Sequence, residues 1–350
     1  MGPIDLRSDT VTLPTDRMRR AMADAELGDD VMGEDPTVNR LQEVAAARLG
    51  KEAALLVSSG TMGNLIGILV NAAAGEEVIA DADAHTFMYE AAGAAAVGGV
   101  QVRPVPTERG VMTPAQVLAA VRPPGDDHQP RTAALMLENT HNRHGGVAWP
   151  PEAFSAVAGA ARERGLKVHL DGARLFNAAA ATGVPVDQLA AGSDTVTFCL
   201  SKGLACPAGS ILAGSAEAVA EARRKRKMLG GGMRQAGVLA AAGLVALETM
   251  VDRLAEDHDN ARTLAEGLAE MPGVDCDLNR VQTDIVIVSL RRVNPNRFLE
   301  ECRAQGLLAG WMGGDRVRFV THHGITPGDI QRALEIASQV LAEAAPARPA

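Results

Sequence analysis

Asp171 in Leu170-Asp171-Gly172-Ala173-Arg174 and Lys202 in Leu200-Ser201-Lys202-Gly203-Leu204 are the residues whose setting points most directly to chemistry. Each follows a short apolar run: Val168-His169-Leu170 before Asp171, and Val196-Thr197-Phe198-Cys199-Leu200 before Lys202. In a parallel α/β sheet, ligands bind beyond the carboxyl ends of the strands. A carboxylate at one strand end and an amine at another meet the needs of a pyridine-aldehyde cofactor. The lysine forms the Schiff base, and the acid keeps the ring nitrogen protonated. Taken alone, Asp171 and Arg174 read equally as a structural ion pair, and Lys202 as a surface lysine after a strand. Their joint occurrence, in chain order, with a phosphate cup points to pyridoxal phosphate.

That cup is Ser58-Ser59-Gly60-Thr61-Met62-Gly63-Asn64, which leaves a strand and opens a helix. Backbone N–H groups at a helix start, with Ser and Thr hydroxyls beside them, suit a phosphate. In isolation an ordinary Gly-rich turn is the competing reading, and the lack of a following lysine excludes a Walker A loop. Arg174 is a candidate to orient the ring oxygen or to clamp a substrate carboxylate through its planar fork. His85 follows the next strand after the cup, where an imidazole can stack on a pyridine ring and exchange protons. His128 lies in the polar segment Asp126-Asp127-His128-Gln129-Pro130, and residue logic reads it as a solvent-exposed loop histidine. The run Arg223-Arg224-Lys225-Arg226-Lys227 reads either as a solvated helix face or as an anion site.

The elements that must position these residues follow from periodicity and capping signals. Strands are expected at Ala54–Ser58, Val78–Ala80, Ala133–Leu137, Val168–Leu170 and Thr195–Leu200. Helices are expected from Pro36 to Leu49, Met62–Asn71, Thr113 to about Val121, where a capping box precedes Pro114, and Glu152–Arg164. This alternation predicts an α/β fold, a mostly parallel sheet with helices on both faces. After Gly230-Gly231-Gly232 the pattern becomes helical from Ala236 to about Met271, with a change near Thr249–Asp252. A strand at Ile285–Leu290, a helix from Pro295, a strand at Arg316–Thr321 and a capped helix from Thr326 complete a smaller α/β unit. The expected division is an N-terminal arm over residues 1–30, a large cofactor-binding domain over 31–248 and a small C-terminal domain over 249–343. A disordered Ala/Pro tail is expected over 344–350.

Composition narrows the class further. The chain has 350 residues, 47% of them hydrophobic but only 3% aromatic, so Ala, Val and Leu must fill its interior. A net charge of −9 argues against a nucleic-acid surface. Four widely spaced cysteines imply neither a disulfide framework nor a zinc site, and no metal is expected. The absence of a signal pattern and of a long apolar stretch leads to the expectation of a cytoplasmic protein with no membrane partner.

The motifs together resemble the low-specificity L-threonine aldolases. The resemblance is carried by Arg7-Ser8-Asp9-Thr10-Val11-Thr12, Ser59-Gly60-Thr61-Met62-Gly63-Asn64 and Glu138-Asn139-Thr140-His141-Asn142. It continues through His169-Leu170-Asp171-Gly172-Ala173-Arg174, Leu200-Ser201-Lys202-Gly203-Leu204, Gly230-Gly231-Gly232-Met233-Arg234-Gln235 and Arg318-Phe319-Val320-Thr321-His322. One departure is Gly63, where the family pattern suggests Ala or another small residue. The resemblance implies a fold-type-I pyridoxal 5'-phosphate enzyme with a seven-stranded sheet. It also implies reversible retro-aldol cleavage of L-threonine and L-allo-threonine to glycine and acetaldehyde. Lys202 would carry the Schiff base, Asp171 would partner the ring nitrogen, Ser59, Gly60 and Thr61 would hold the phosphate, and His85 would stack on the ring. Ser8, Arg174 and Arg318 would grip the substrate carboxylate, and His128 would stand near the substrate hydroxyl, against the exposed-loop reading. Lys227 and Arg234 would reach a neighbouring subunit's cofactor phosphate, in a homotetramer built as a dimer of dimers. A β-eliminating lyase, or an aldolase for other β-hydroxy amino acids, is the alternative reaction. A cofactor-binding protein without turnover and a folate-dependent hydroxymethyl transferase are further alternatives.

Overall fold

The computed structural model describes residues 2–344, so the tail expected to be disordered over 344–350 lies, beyond its first residue, outside the described residues. Seven strands form the main sheet: β1 (Ala53–Val57), β2 (Glu77–Asp81), β3 (Gln101–Val105), β4 (Thr132–Glu138), β5 (Lys167–Asp171), β6 (Thr195–Cys199) and β7 (Ser210–Gly214). Their spatial order is β1-β7-β6-β5-β4-β2-β3. Strand β7 runs antiparallel to both its neighbours, whereas all other pairings are parallel. The mostly parallel α/β sheet expected from the alternation is therefore present. Every residue of β2, β4, β6 and β7 is buried, as strands covered on both faces require. Strand β3 carries Pro104, which donates no ladder hydrogen bond, and it occupies the sheet edge.

Because β1, β2, β4, β5 and β6 point the same way, the segments that leave them emerge along one edge of the sheet. The helix Gly60–Asn71 follows β1, with Ser59 as its N-cap accepting a hydrogen bond from the Met62 amide at 3.2 Å. Further caps are set as the residues suggest: Asp35 accepts from Val38 N at the start of Pro36–Arg48, and Thr113 and Gln116 form a capping box on Pro114–Ala120.

The long helical stretch expected after Ala236 is two helices, Gly237–Thr249 and Leu254–Ala269, broken where the residue pattern changes. A four-stranded antiparallel sheet follows, in the order Gly310–Trp311, Arg316–Val320, Ile285–Leu290 and Val274–Asp275. Helices Leu254–Ala269, Pro295–Ala304 and Pro327–Ala344 contribute with this sheet to a second apolar core. The N-terminal segment is not a free arm. Ile4–Asp5 pairs in parallel with Leu307–Leu308, Ile4 and Leu6 are buried in the second core, and the Val320 amide donates to the Leu6 carbonyl at 2.8 Å. The helix Asp16–Ala23 then packs on Gly237–Thr249 in the first core. The chain start thus ties the two cores together and carries residues 7–12 across the sheet edge. Among the described residues, no helix is long and apolar enough to cross a membrane.

Candidate active site

Asp171 ends β5 and is only 4% exposed. Its Oδ1 accepts from the Ala173 amide at 3.0 Å and its Oδ2 from Asn64 Nδ2 at 2.8 Å. Asn64 sits one turn into the helix that opens with Gly60. Its second amide N–H donates to Glu90 Oε1 at 2.9 Å, while its Oδ1 accepts from Thr197 Oγ1 at 2.8 Å and from His169 Nε2 at 3.2 Å. All four hydrogen-bonding positions of the amide are therefore filled, and two buried carboxylates share one donor group. Burial pushes His169 down to about 4, so its ring is neutral and can serve both Asn64 and Thr195 Oγ1, the latter at 2.8 Å. Gly67 makes room for that ring: a Cβ there would come within 2.2 Å of it.

His85 lies just past β2, with its own amide donating to Glu138 Oε2 at 2.6 Å and its Nδ1 2.8 Å from Glu90 Oε1. Burial disfavours charge on the imidazole, but the Glu90 hydrogen bond and the charges of Asp171, Glu90 and Glu138 outweigh it and raise its pKa. Burial also raises Glu90, against the pull of its bond to His85, with Asp171 adding to the rise. The carboxylate fixes the ring so that Nδ1 is occupied and Nε2 faces away from it, available as a base.

Arg174 is almost wholly buried and forms a bidentate pair with Asp9, Nε to Oδ2 at 2.8 Å and Nη2 to Oδ1 at 2.7 Å. Burial raises the Asp9 carboxyl, but Arg174, Lys202 and Arg318 together bring it down to about 2. Asp284, 3.6 Å from Arg174 Nε, is pushed up to about 7 by burial despite that arginine. Arg318 donates to Asn142 Oδ1 at 2.9 Å and to the Arg7 carbonyl at 3.1 Å, and Arg174 Nη1 approaches the same Asn142 oxygen at 3.4 Å. Two guanidinium groups thus converge on one neutral acceptor, and the buried Nε of Arg318 has no partner. Ser8 caps the short helical turn Asp9–Val11 and its hydroxyl accepts from the Thr10 amide at 3.3 Å. Lys202 stands in the turn after β6, where its carbonyl accepts from Thr12 Oγ1 at 3.0 Å. Ser59 and Thr61 flank Gly60 at the helix start; a Cβ on Gly60 would come within 2.8 Å of Cys199 Sγ, so the backbone itself lies against β6.

Asp171, Lys202, His85, Arg174, Arg318, Ser8 and the Ser59–Thr61 turn therefore gather on one sheet edge. His128 does not join them. It is exposed, in the loop before β4, with its amide donating to Asp126 Oδ1 at 3.0 Å. The six steps of β4 from Thr132 to Glu138, at about 3.3 Å each, put roughly 20 Å between that loop and the site within one chain. The exposed-loop reading describes its position here. Of the basic run, Arg226 is buried on Asp30 Oδ2 at 2.7 Å and on the Leu56 carbonyl at 2.7 Å, so the run is not simply a solvated face. Lys227 is exposed, and Arg234 pairs with Asp29 at 2.8 Å. Residues that carry no role in the sequence reading also prove to be central: Asn64, Asp9, Glu90, Asn142 and Asp284.

The donor set fits pyridoxal phosphate: a buried carboxylate fixed by an amide, a lysine in the turn after the neighbouring strand, and a helix start too tight for any side chain at Gly60. Sheet order, the single antiparallel strand and this site define a fold-type-I pyridoxal phosphate enzyme. Residues 5–292 match the family described as beta-eliminating lyase. Low-specificity L-threonine aldolase 1 of Arabidopsis thaliana is 44% identical over 347 residues, covering 97% of each chain. The low specificity L-threonine aldolase of Escherichia coli strain K12 is 44% identical over 319 residues, covering 91% of this chain and 93% of its own. Among solved structures, the threonine aldolase of Leishmania major superposes with a TM-score of 0.83 at 19% identity, covering 97% of this chain and all of its own. A putative L-allo-threonine aldolase of Listeria monocytogenes superposes at 0.79 with 21% identity, covering 93% and 92%. The chain belongs to the low-specificity L-threonine aldolase family.

Proposed function

We propose that the protein is an aldehyde-lyase that cleaves L-threonine and L-allo-threonine reversibly to glycine and acetaldehyde. The observation that carries the reading is the convergence of Arg174 and Arg318 on Asn142, with Arg318 Nε buried and unpartnered, beside Lys202 and Asp171. Arg174 is paired with Asp9, but Arg318 donates only to neutral oxygens, and an amino-acid carboxylate would supply the negative charge that it lacks.

When bound at Lys202, pyridoxal phosphate supplies an electron sink for the pair released from the Cα–Cβ bond. The Gly60–Thr61 helix start and the Ser59 hydroxyl would hold its phosphate, and His85 would stack on its ring. Asp171, fixed by Asn64 and Ala173 N, holds a proton on the ring nitrogen. Arg174 is held rigid by Asp9, so that with Ser8 and Arg318 it would grip and orient the substrate carboxylate. His85 takes the β-hydroxyl proton at Nε2, with Glu90 on Nδ1 stabilising the imidazolium that results. His128 of the same chain is too distant to share this step, which leaves His85 as the base supplied by this chain.

The family names are those of enzymes acting on small amino acids, and this chain's arginine pair suits such a substrate. Leu27, Met32, Phe87, Met88 and Tyr89 are exposed around the segments that reach the site, which supports an association surface beside it. We accordingly propose a cytoplasmic homotetramer, with the exposed Lys227 and with Arg234 serving a neighbouring subunit's cofactor phosphate. Incubating the purified holoenzyme with L-threonine, L-allo-threonine and D-threonine while following acetaldehyde tests the reaction. Acetaldehyde from the two L-isomers is expected. Activity on D-threonine alone, or release of pyruvate and ammonia in place of acetaldehyde, overturns it.

A further inference from the structure

A second cluster of ligand-type side chains lies behind the site, on the far side of Glu138. Asp81, at the end of β2, places Oδ1 3.1 Å from His141 Nε2. His144 stacks edge-on against His141, ring centroids 4.7 Å apart, and its Nε2 lies 3.6 Å from Asp83 Oδ2. One nitrogen or oxygen from each of Asp81, His141 and His144 falls within 4.8 Å of the others. We propose that Asp81, His141 and His144, with Asp83 as a fourth donor within reach, form a binding site for a divalent transition-metal ion of the zinc type.

The donor chemistry selects the class of ion. Calcium and magnesium take oxygen shells, whereas two imidazoles with one or two carboxylates suit zinc, which prefers four donors in a tetrahedron. With metal–ligand bonds of about 2.0–2.1 Å, tetrahedral neighbours stand roughly 3.3 Å apart. The Asp81–His141 separation of 3.1 Å is close to one such edge, and with all three donor atoms within 4.8 Å of one another His144 has a small movement to make.

The supporting shell is already built. Asp81 Oδ2 accepts from Thr107 Oγ1 at 2.5 Å, and its Oδ1 from the Asp83 amide at 2.7 Å. Thr107 is itself held by accepting from the Gly110 amide at 2.9 Å. Gly110 has a φ of +74°, and a Cβ there would come within 2.4 Å of the His141 ring, which fixes that ring in place. Such outer partners orient the groups that touch a metal.

One buried donor nitrogen has no hydrogen bond: His144 Nε2 is shut off from solvent and unpartnered. His141 is fully buried, with Nε2 directed at Asp81. Asp81, Asp83 and Glu138 face the cluster against Arg143, which is paired with Asp83 at 3.0 Å, and Arg280, leaving an excess of negative charge. The site is independent of the reaction proposed above, because none of its three core residues touches the cofactor or substrate groups. Glu138 does link them: its Oε2 lies 4.0 Å from His141 Nε2 and accepts the His85 amide.

The test uses holoenzyme, so that the cofactor occupies the neighbouring His85–Glu90–Asp171 group. Enzyme treated with zinc chloride is passed over a desalting column and its metal content measured, with a chelator titration giving the affinity. One zinc per chain is expected, with its X-ray absorption edge reporting nitrogen and oxygen donors only. His144→Ala, and the bulkier, polar His144→Gln in case the smaller residue perturbs folding, should weaken binding at least tenfold with the thermal midpoint of the metal-free protein unchanged. Asp83→Asn should weaken it less. Failure of the wild-type protein to retain stoichiometric zinc, undiminished binding in both His144 variants, or sulfur in the coordination shell overturns the proposal.

Discussion

Replacing Asn64 by aspartate changes no heavy-atom volume but turns both donors of its amide toward Asp171 and Glu90 into an acceptor. The introduced group then has two choices, and both are costly. Ionised, it forfeits two hydrogen bonds to buried carboxylates, each worth about 1.5–3 kcal/mol, and adds a third negative charge. Protonated, it can still donate one bond. Holding the proton at pH 7 against an unfolded-state pKa of about 3.9 then costs about 4 kcal/mol, and one carboxylate remains without its donor. The expected loss at pH 7 is therefore about 4–7 kcal/mol, against a typical total of about 5–15 kcal/mol. The sign of the pH dependence follows. The introduced carboxyl has a folded-state pKa raised above its unfolded value, so its penalty is absent below about pH 4 and accumulates as pH rises toward the folded value. Between pH 7.5 and 5.5 the variant should regain up to about 2.7 kcal/mol relative to the parent protein, at about 1.4 kcal/mol per unit. Urea unfolding of both proteins at the two pH values, at one protein concentration, measures this. A deficit below about 1 kcal/mol, or one equal at both pH values, would refute the assignment of Asn64 as the shared donor.

The role of His85 gives a second expectation: His85→Asn should lose about 10²–10⁴-fold in kcat while retaining the visible absorption of the bound cofactor. Because the base acts when neutral, kcat/KM of the parent enzyme should rise with pH through a value above the ordinary histidine 6.5, and a midpoint below it would contradict the raised pKa of His85. Arg318→Leu should raise KM for L-threonine more than it lowers kcat, since its free Nε is assigned to ground-state carboxylate binding; an unchanged KM would remove it from that role. Of the four thiols, burial pushes Cys206 and Cys302 up to about 12 and Cys276 to about 11, and only Cys276 is not fully buried. A disulfide-exchange reagent at neutral pH should accordingly label the native protein slowly and at Cys276 alone, with rapid labelling of a second cysteine counting against this packing.

The parts of the fold legible in the residue pattern are those whose local chemistry and tertiary setting agree. Pro36–Arg48, Pro114–Ala120 and Pro295–Ala304 each open with a cap and a proline at the first turn, and each lies where that signal puts it. Strand β3 escaped because Pro104 and polar side chains suit only an edge, a position defined by its neighbour rather than by its own residues. Strand β7, Ser210–Gly214, carries only two large apolar residues, Ile211 and Leu212, and gives no strand pattern of its own; its place between β1 and β6 comes from two antiparallel ladders. Ile4 and Leu6 were hidden for a related reason. Two apolar residues in a charged segment give no period, yet both are buried because the chain start completes the second core.

The same distinction runs through the site. Lys202, Asp171 and His85 were recognisable because each must follow a strand end, and the order of strands along the chain carries that information. Asn64 and Asn142 act through partners far away in the chain: Asn64 binds a residue 107 positions on, and Asn142 meets Arg318 across 176, while Glu90 joins His85, five residues back, to Asn64 across 26. No spacing rule connects such residues, so the groups that tune the reactive ones stay invisible until the sheet brings them together. Asp9 shows what that tuning achieves. An arginine meant to seize a carboxylate could instead be neutralised by its own bidentate carboxylate partner, but Asp9 shares the field of Lys202 and Arg318 as well. Three cations around that one well-ionised carboxylate leave a positive excess facing Asn142, with Asp284 too far from Arg174 for a hydrogen bond. Asp9 therefore holds Arg174 rigid without cancelling the charge that an amino-acid substrate must find.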